Sequence, residues 1–159
     1  MTRDDDFATL RVLRNGLLAL ALVTTIGIGV ALATARHWGS IEQLVAWAAA
    51  GLVCLSLGLV VGTPSHGNVR LARILLVVVV ASSLFGAWEH VQANHRAGAL
   101  DFRYATVWAD YSAKHQWWLA LSGGVGAAPP VLPLALALTA AMVLLATVGT
   151  GSGAQTARA

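Results

Sequence analysis

Four long apolar stretches constrain this chain more than any other feature. Residues 15–35 carry no charge, and Arg14 and Arg36 close that stretch at its two ends. In helix, roughly 20 such residues cross a hydrocarbon core of about 30 Å. A second stretch, 43–62, begins after Glu42 and ends before the turn-like Gly62-Thr63-Pro64-Ser65-His66-Gly67-Asn68. The third starts after Arg73. Its charge-free part, Ile74 to Trp88, is only about 22 Å of helix, so it must continue to about Asn94 to cross. The fourth covers 131–148, with Pro133 tolerated in the first helical turn. Ala33-Thr34-Ala35 has the small residues of a signal-peptide cleavage site. The apolar stretch before it is longer than a usual signal core, however, and Asp4, Asp5 and Asp6 offset the preceding basic charge, which favours an uncleaved span.

Composition agrees with a life in lipid. Of the 159 residues, 57% are hydrophobic and 11% are charged. Soluble domains run near 45–50% and a quarter, so a soluble enzyme, a nucleic-acid-binding domain or a disordered tail does not fit. The expected fold class is an all-α integral membrane protein: a four-helix transmembrane bundle, one membrane domain over residues 1–159. An extracytoplasmic cap of about 95–130 joins spans three and four. The bias towards Ala, Leu, Val, Gly and Arg, with Lys114 the one lysine, reads as a GC-rich bacterial genome. The single Cys54 excludes an intramolecular disulfide and any multi-cysteine metal site.

Orientation follows from the basic residues. Arg3, Arg11, Arg14, Arg70, Arg73 and Arg158 share one side, against Arg36, Arg96, Arg103 and Lys114 on the other. The positive-inside rule then predicts a multi-pass protein of the bacterial plasma (inner) membrane with both termini in the cytoplasm. The outer side is rich in tryptophan and both tyrosines, which suits an interfacial belt, with a substrate-stacking platform as the alternative. Within the cap, Asp101 is expected to N-cap a surface helix reaching Ser122, with Phe102, Ala105, Val107, Trp108 and Tyr111 on its apolar side. On the second span, Ala46, Ala50, Cys54, Gly58 and Gly62 recur every four residues. This small-residue stripe predicts close helix packing inside the monomer or, through the GxxxG of Gly58 and Gly62, a dimer face.

The candidate site ends the third span: Gly86-Ala87-Trp88-Glu89-His90-Val91-Gln92-Ala93-Asn94-His95-Arg96. Glu89 and His90 fall about one turn inside the outer boundary, where ionisable groups are costly and are functional candidates by default. Gly86, His90 and Asn94 share a face at spacing four; Glu89, Gln92 and Arg96 lie on an adjoining one. Three explanations stay open. The polar cluster of Glu89, His90, Asn94 and Arg96 is a structural network, with Glu89 bonded to Arg36, Arg96 or Arg103. Alternatively His90 and Glu89, with His37, His95 or His115, bind zinc or copper, although no HxxxH or HExxH spacing fixes the ligands. Or the pair handles protons or hydrolysis. Haem is weaker still, since only His37 and His90 would offer an axial pair.

Several functions drop out. No GxSxG, P-loop or dinucleotide fingerprint occurs. The acid deep in a span that a small multidrug exporter needs is missing, as are the charge rings of a channel. Glu89-His90-x-x-x-Asn94, then Trp118-Leu119-Ala120-Leu121-Ser122-Gly123, then Pro129-Pro130-Val131-Leu132-Pro133 resembles a group of small uncharacterised bacterial four-span membrane proteins. That resemblance covers about Gly86 to Leu138 and implies that the polar cluster and the cap belong together. The expected function is a non-enzymatic accessory or interaction subunit without a cofactor, its partners the lipid bilayer and other membrane proteins or a second copy, not nucleic acid. The alternative is a metal- or proton-binding membrane enzyme or carrier using Glu89 and His90.

Overall fold

A computed structural model describes residues 3–62 and 64–149, with Arg3 and Asp4 as backbone only. Arg158, one of the residues behind the orientation, lies outside the described residues. Among the described residues all regular structure is helical: α1 (Arg3–Thr34), α2 (Ile41–Val61), α3 (His66–Ala97), α4 (Ala113–Ser122) and α5 (Val131–Ala146). Short 3-10 turns at Gly98–Leu100 and Trp108–Asp110 separate α3 from α4. Asp5–Thr34, Ile41–Val61 and His66–Leu100 are long and apolar enough to cross a membrane. The fourth expected span is apolar but ends at Ala146, and its 16 residues rise only about 24 Å.

The helix limits depart from the sequence expectation where charge was taken as a stop. α1 starts at Arg3 instead of residue 15, and α3 starts at His66 instead of residue 74. Arginine is a good helix former, so Arg11, Arg14, Arg70 and Arg73 lie within the helices instead of ending them. At 32 residues, α3 is about 48 Å long.

The chain forms two compact units, residues 1–82 with 135–159, and Ser83–Leu134. In the first, each helix buries a seam of alternating three- and four-residue steps. α1 contributes Leu18, Ala21, Thr25, Ile28 and Leu32; α2 contributes Ala49, Val53, Ser56, Leu57 and Val60. α3 contributes Val69, Ala72, Leu76 and Val79, and α5 contributes Leu136, Thr139, Ala140, Val143 and Ala146. Three buried hydroxyls of this unit are satisfied within their own helices: Thr25 donates to the Ala21 carbonyl at 2.7 Å, Ser56 to Leu52 at 2.8 Å and Thr139 to Ala135 at 2.7 Å. Outside the seams stand Leu20, Val23, Ile26, Val30, Leu55, Val77 and Val78, all exposed. An apolar outer face of this kind is compatible with a lipid surrounding.

Arginines tie the helix ends together. Arg14 Nη2 donates to the Val60 carbonyl at 3.4 Å, while Arg73 gives Nε to Thr147 Oγ1 at 3.0 Å and Nη2 to the Thr147 carbonyl at 2.6 Å. At the other end, Ser40 caps α2 by accepting from the Gln43 N–H, and Gln43 Oε1 accepts from the Gly39 N–H at 2.7 Å. This is a capping-box arrangement that fixes where α2 begins. The Trp47 indole N–H donates to the His37 carbonyl at 2.8 Å, which closes the turn after α1.

The small-residue stripe on α2 is divided between buried and exposed positions. Ala50 is buried and Ala46 half-buried, but Cys54, Gly58 and Gly62 are exposed. A methyl group added at Gly58 would meet nothing within 4 Å. The buried seam of α2 is rotated towards Ala49, Val53, Ser56 and Val60. The larger side chains supply more contact there, so the lower stripe does not pack inside the monomer.

Candidate functional site

The second unit is built from the last four turns or so of α3, the connecting loops, α4 and the first residues of α5. Gly86, His90 and Asn94 form one face of α3, and each meets the segment that leads into α5. A methyl at Gly86 would sit 3.5 Å from Pro133 Cβ. His90 Nδ1 lies 2.9 Å from the Pro129 carbonyl oxygen. A carbonyl can only accept, so Nδ1 carries the proton and Nε2 does not when the ring is neutral.

Asn94 is the hub. It is 1% exposed. Its Nδ2 donates to the Ala120 carbonyl at 3.0 Å and the Ala128 carbonyl at 2.8 Å, and its Oδ1 accepts from the Ala128 N–H at 3.0 Å. One side chain thus joins the end of α4 and the loop before α5 to α3. Gly126 crosses directly over it with φ +75°. A Cβ there would collide with Asn94 Oδ1 and Cα. Only glycine gives both the left-handed backbone and the clearance.

A line of rings runs through the same unit. Trp88 stacks on Trp117 with centroids 5.4 Å apart, and Trp117 stacks on the His95 imidazole at 4.2 Å. His95 meets the edge of Trp108 at 5.7 Å, Trp108 approaches Tyr104 at 6.4 Å, and Tyr111 meets His115 edge-on at 4.6 Å. Trp108 is buried with Val91, Ala120 and Val125, and its indole lies against Gly98, where no side chain would fit. Gln116 Nε2 holds the backbone of this region by donating to the Trp108 carbonyl at 2.7 Å. Composition shows tryptophans, but only the fold shows that His95 sits among them. The seven-residue step from Trp88 to His95, two turns on one helix face, was the available signal.

The cap helix is shorter than expected. Its N-cap is Ser112, which accepts from the His115 N–H, and its C-terminal end is Gly123 at φ +73°. Asp101 instead turns to its neighbour: Oδ1 accepts from the Arg103 N–H at 3.0 Å and Oδ2 from Arg103 Nη2 at 2.7 Å. These bonds, the side-chain one foremost, hold the Asp101 carboxyl at about 2, with the Gly126 N–H adding to the effect. Arg103 is pushed up in return by the same contact. The guanidinium also lies 5.3 Å from the Tyr104 ring centroid. Of the expected apolar side, only Trp108 is buried; Phe102 is 91% exposed and Val107 is exposed too.

Glu89 departs most from expectation. It is exposed, and the two arginines of its own unit are bonded elsewhere: Arg103 pairs with Asp101, and Arg96 Nη2 donates to Gln92 Oε1 at 2.6 Å. Arg36, with φ 49°, lies in the turn after α1. Glu89 continues the outward stripe of Val77, Val78, Leu84, Phe85 and Trp88, one position round the helix from His90. The cluster therefore divides. His90 and Asn94 face the loop, while Glu89 and Arg96 face out. Among the described residues, no three His, Cys, Asp or Glu side chains gather as a metal site would require. His95 stacks on Trp117, and His115 meets Tyr111 edge-on. No protein family, curated protein or solved structure matches the chain.

Proposed function

We propose that the chain is a non-enzymatic accessory or interaction module of a bacterial plasma membrane, with both termini cytoplasmic and Ser83–Leu134 as its outer, partner-facing unit. One observation carries this reading. The polar side chains that chemistry at this site would need, His90 and Asn94, are bonded to the main-chain carbonyls of Pro129, Ala120 and Ala128. They fix a loop. The same unit leaves Leu100, Phe102, Trp118 and Leu121 exposed, and exposed apolar surface outside the bilayer core marks a contact for another protein. The excess of Arg11, Arg14, Arg70 and Arg73 over Arg36 and Arg96 near the span ends supports the orientation. On this reading the protein is of a kind with the small bacterial four-span proteins it resembles.

The test is purification of the parent, His90→Ala and Asn94→Ala in detergent, with thermal melts and elemental analysis on each. Loss of about 1–3 kcal/mol in both variants, with no stoichiometric metal in the parent, is the expected result. One equivalent of zinc or copper, lost with His90→Ala, replaces this reading with the metal-binding one. The unprotonated Nε2 of His90 is the observation that keeps that second reading specific, because metal-bound histidines commonly donate their other nitrogen to a carbonyl.

A further inference from the structure

An open cleft of about 460 Å³ lies in the first unit between the N-terminal half of α1 and the end of α5. Its wall includes Phe7, Leu10, Leu145 and Val148, and its two charged lining residues are Arg11 and Arg14. No acidic side chain is among the lining residues. The four apolar residues are all more than half exposed. Arg14 Nε is buried without a hydrogen-bond partner among the described residues, and its one hydrogen bond is the 3.4 Å contact from Nη2 to the Val60 carbonyl. Arg73, by contrast, is held by two bonds to Thr147. A guanidinium has five N–H donors, so Arg14 keeps most of its capacity for an acceptor in the cleft.

Two arginines set in an apolar groove match one ligand chemistry: a phosphodiester attached to a hydrocarbon chain. Arg pairs well with phosphate through parallel N–H donors, and basic pockets between helices on the cytoplasmic side take anionic lipid headgroups. We propose that this cleft binds an anionic phospholipid, its phosphate on Arg11 and Arg14 and one acyl chain along Leu17 and Leu145, the lining residues on the membrane side of the arginines. The inference rests on membrane insertion but not on the role given above to the outer unit. A water-filled groove would leave the apolar wall uncompensated; a bound acyl chain covers it, and the free Nη donors of Arg14 take the phosphate.

The experiment uses the full chain reconstituted in phosphatidylcholine vesicles, with electron-spin-resonance measurement of spin-labelled phosphatidylglycerol against spin-labelled phosphatidylcholine. Flotation with the vesicles first establishes insertion, so failure of the membrane reading is seen separately. The parent should prefer phosphatidylglycerol, by about fivefold for each arginine in contact. Arg11→Gln should lower that preference and Arg11→Gln/Arg14→Gln should abolish it, whereas Arg70→Gln, outside the cleft, should leave it intact. Leu145→Trp, on an exposed position that folding tolerates, should reduce it by filling the apolar wall while both charges remain. Equal binding of the two lipids by floated parent protein overturns the proposal. So does a preference that survives the double variant, or one that inorganic phosphate removes at millimolar concentration, which would make the ligand a free anion.

Discussion

At the residue scale, Asn94 and Gly126 act as one device. A buried amide in an apolar surrounding is costly unless its donors and acceptor are used, and here both ends of the amide are bonded to main chain. Gly126 makes that possible by passing over the amide without a side chain. Two glycines with nearly the same left-handed φ separate the backbone effect from the steric one. Gly123→Ala, at φ +73° with open space around it, should cost about 1 kcal/mol. Gly126→Ala, at φ +75° against Asn94, should cost about 3 kcal/mol or more, since overpacking adds to strain. Urea or thermal melts in one detergent compare the two, and equal losses would show that the crossing relaxes freely. The position of Asn94 on a face with Gly86 and His90 was legible from spacing alone; its partners were not, because they are carbonyls of residues 26 and 34 positions away.

At the scale of elements, the long apolar helices were legible in the sequence, and the short helix of the second unit, where local side-chain bonds compete, was not. Asp101 reads as a helix cap by residue type. In the structure its carboxylate closes a short turn on Arg103, and the helix starts at Ser112 instead. The sign of its pH effect follows from a depressed folded value. The unfolded carboxyl titrates near 3.9, so the turn's contribution is fully present above that value and is lost as pH falls through about 2. Hydrogen exchange at the Arg103 and Gly126 amides should therefore accelerate between about pH 4 and 2 in the parent, beyond its intrinsic change with pH. Asp101→Asn should show raised exchange throughout and no added step there. For α2, the open space around Gly58 predicts that Gly58→Leu leaves the monomer's melting temperature within a degree or two, or raises it through better helix propensity. A melt lowered together with the oligomer size, by light scattering, would assign the exposed Cys54–Gly58–Gly62 face to a contact between copies.

For the whole molecule, the orientation test is chemical labelling. In a Cys54→Ala background, cysteine at Thr106, an exposed loop position, should react with an impermeant thiol reagent on intact cells, and cysteine at Pro64, in the exposed turn before α3, should react only after lysis. The reverse pattern inverts the topology, and labelling at both sites on intact cells means that the chain does not separate these loops across a membrane. Thr106 is preferable to Ser112, whose hydroxyl caps α4.

The sequence by itself determined that this chain is helical and apolar enough to belong in lipid, because hydrocarbon admits only backbone that bonds to itself and admits few charges. It also located each long helix to within a few turns and singled out the face of Gly86, His90 and Asn94. It did not reveal which side of a span is buried. The seam of α1 at Leu18, Ala21, Ile28 and Leu32 is no more apolar than the outward Leu20, Val23, Ile26 and Val30, since lipid and protein interior select the same side chains. Tertiary structure alone decided that the α2 stripe points outward, that Glu89 parts company with His90, and that His95 lies between tryptophans. Each of these turns on a rotation of about 100° between neighbouring helical residues or on contacts far apart along the chain, and only packing fixes those.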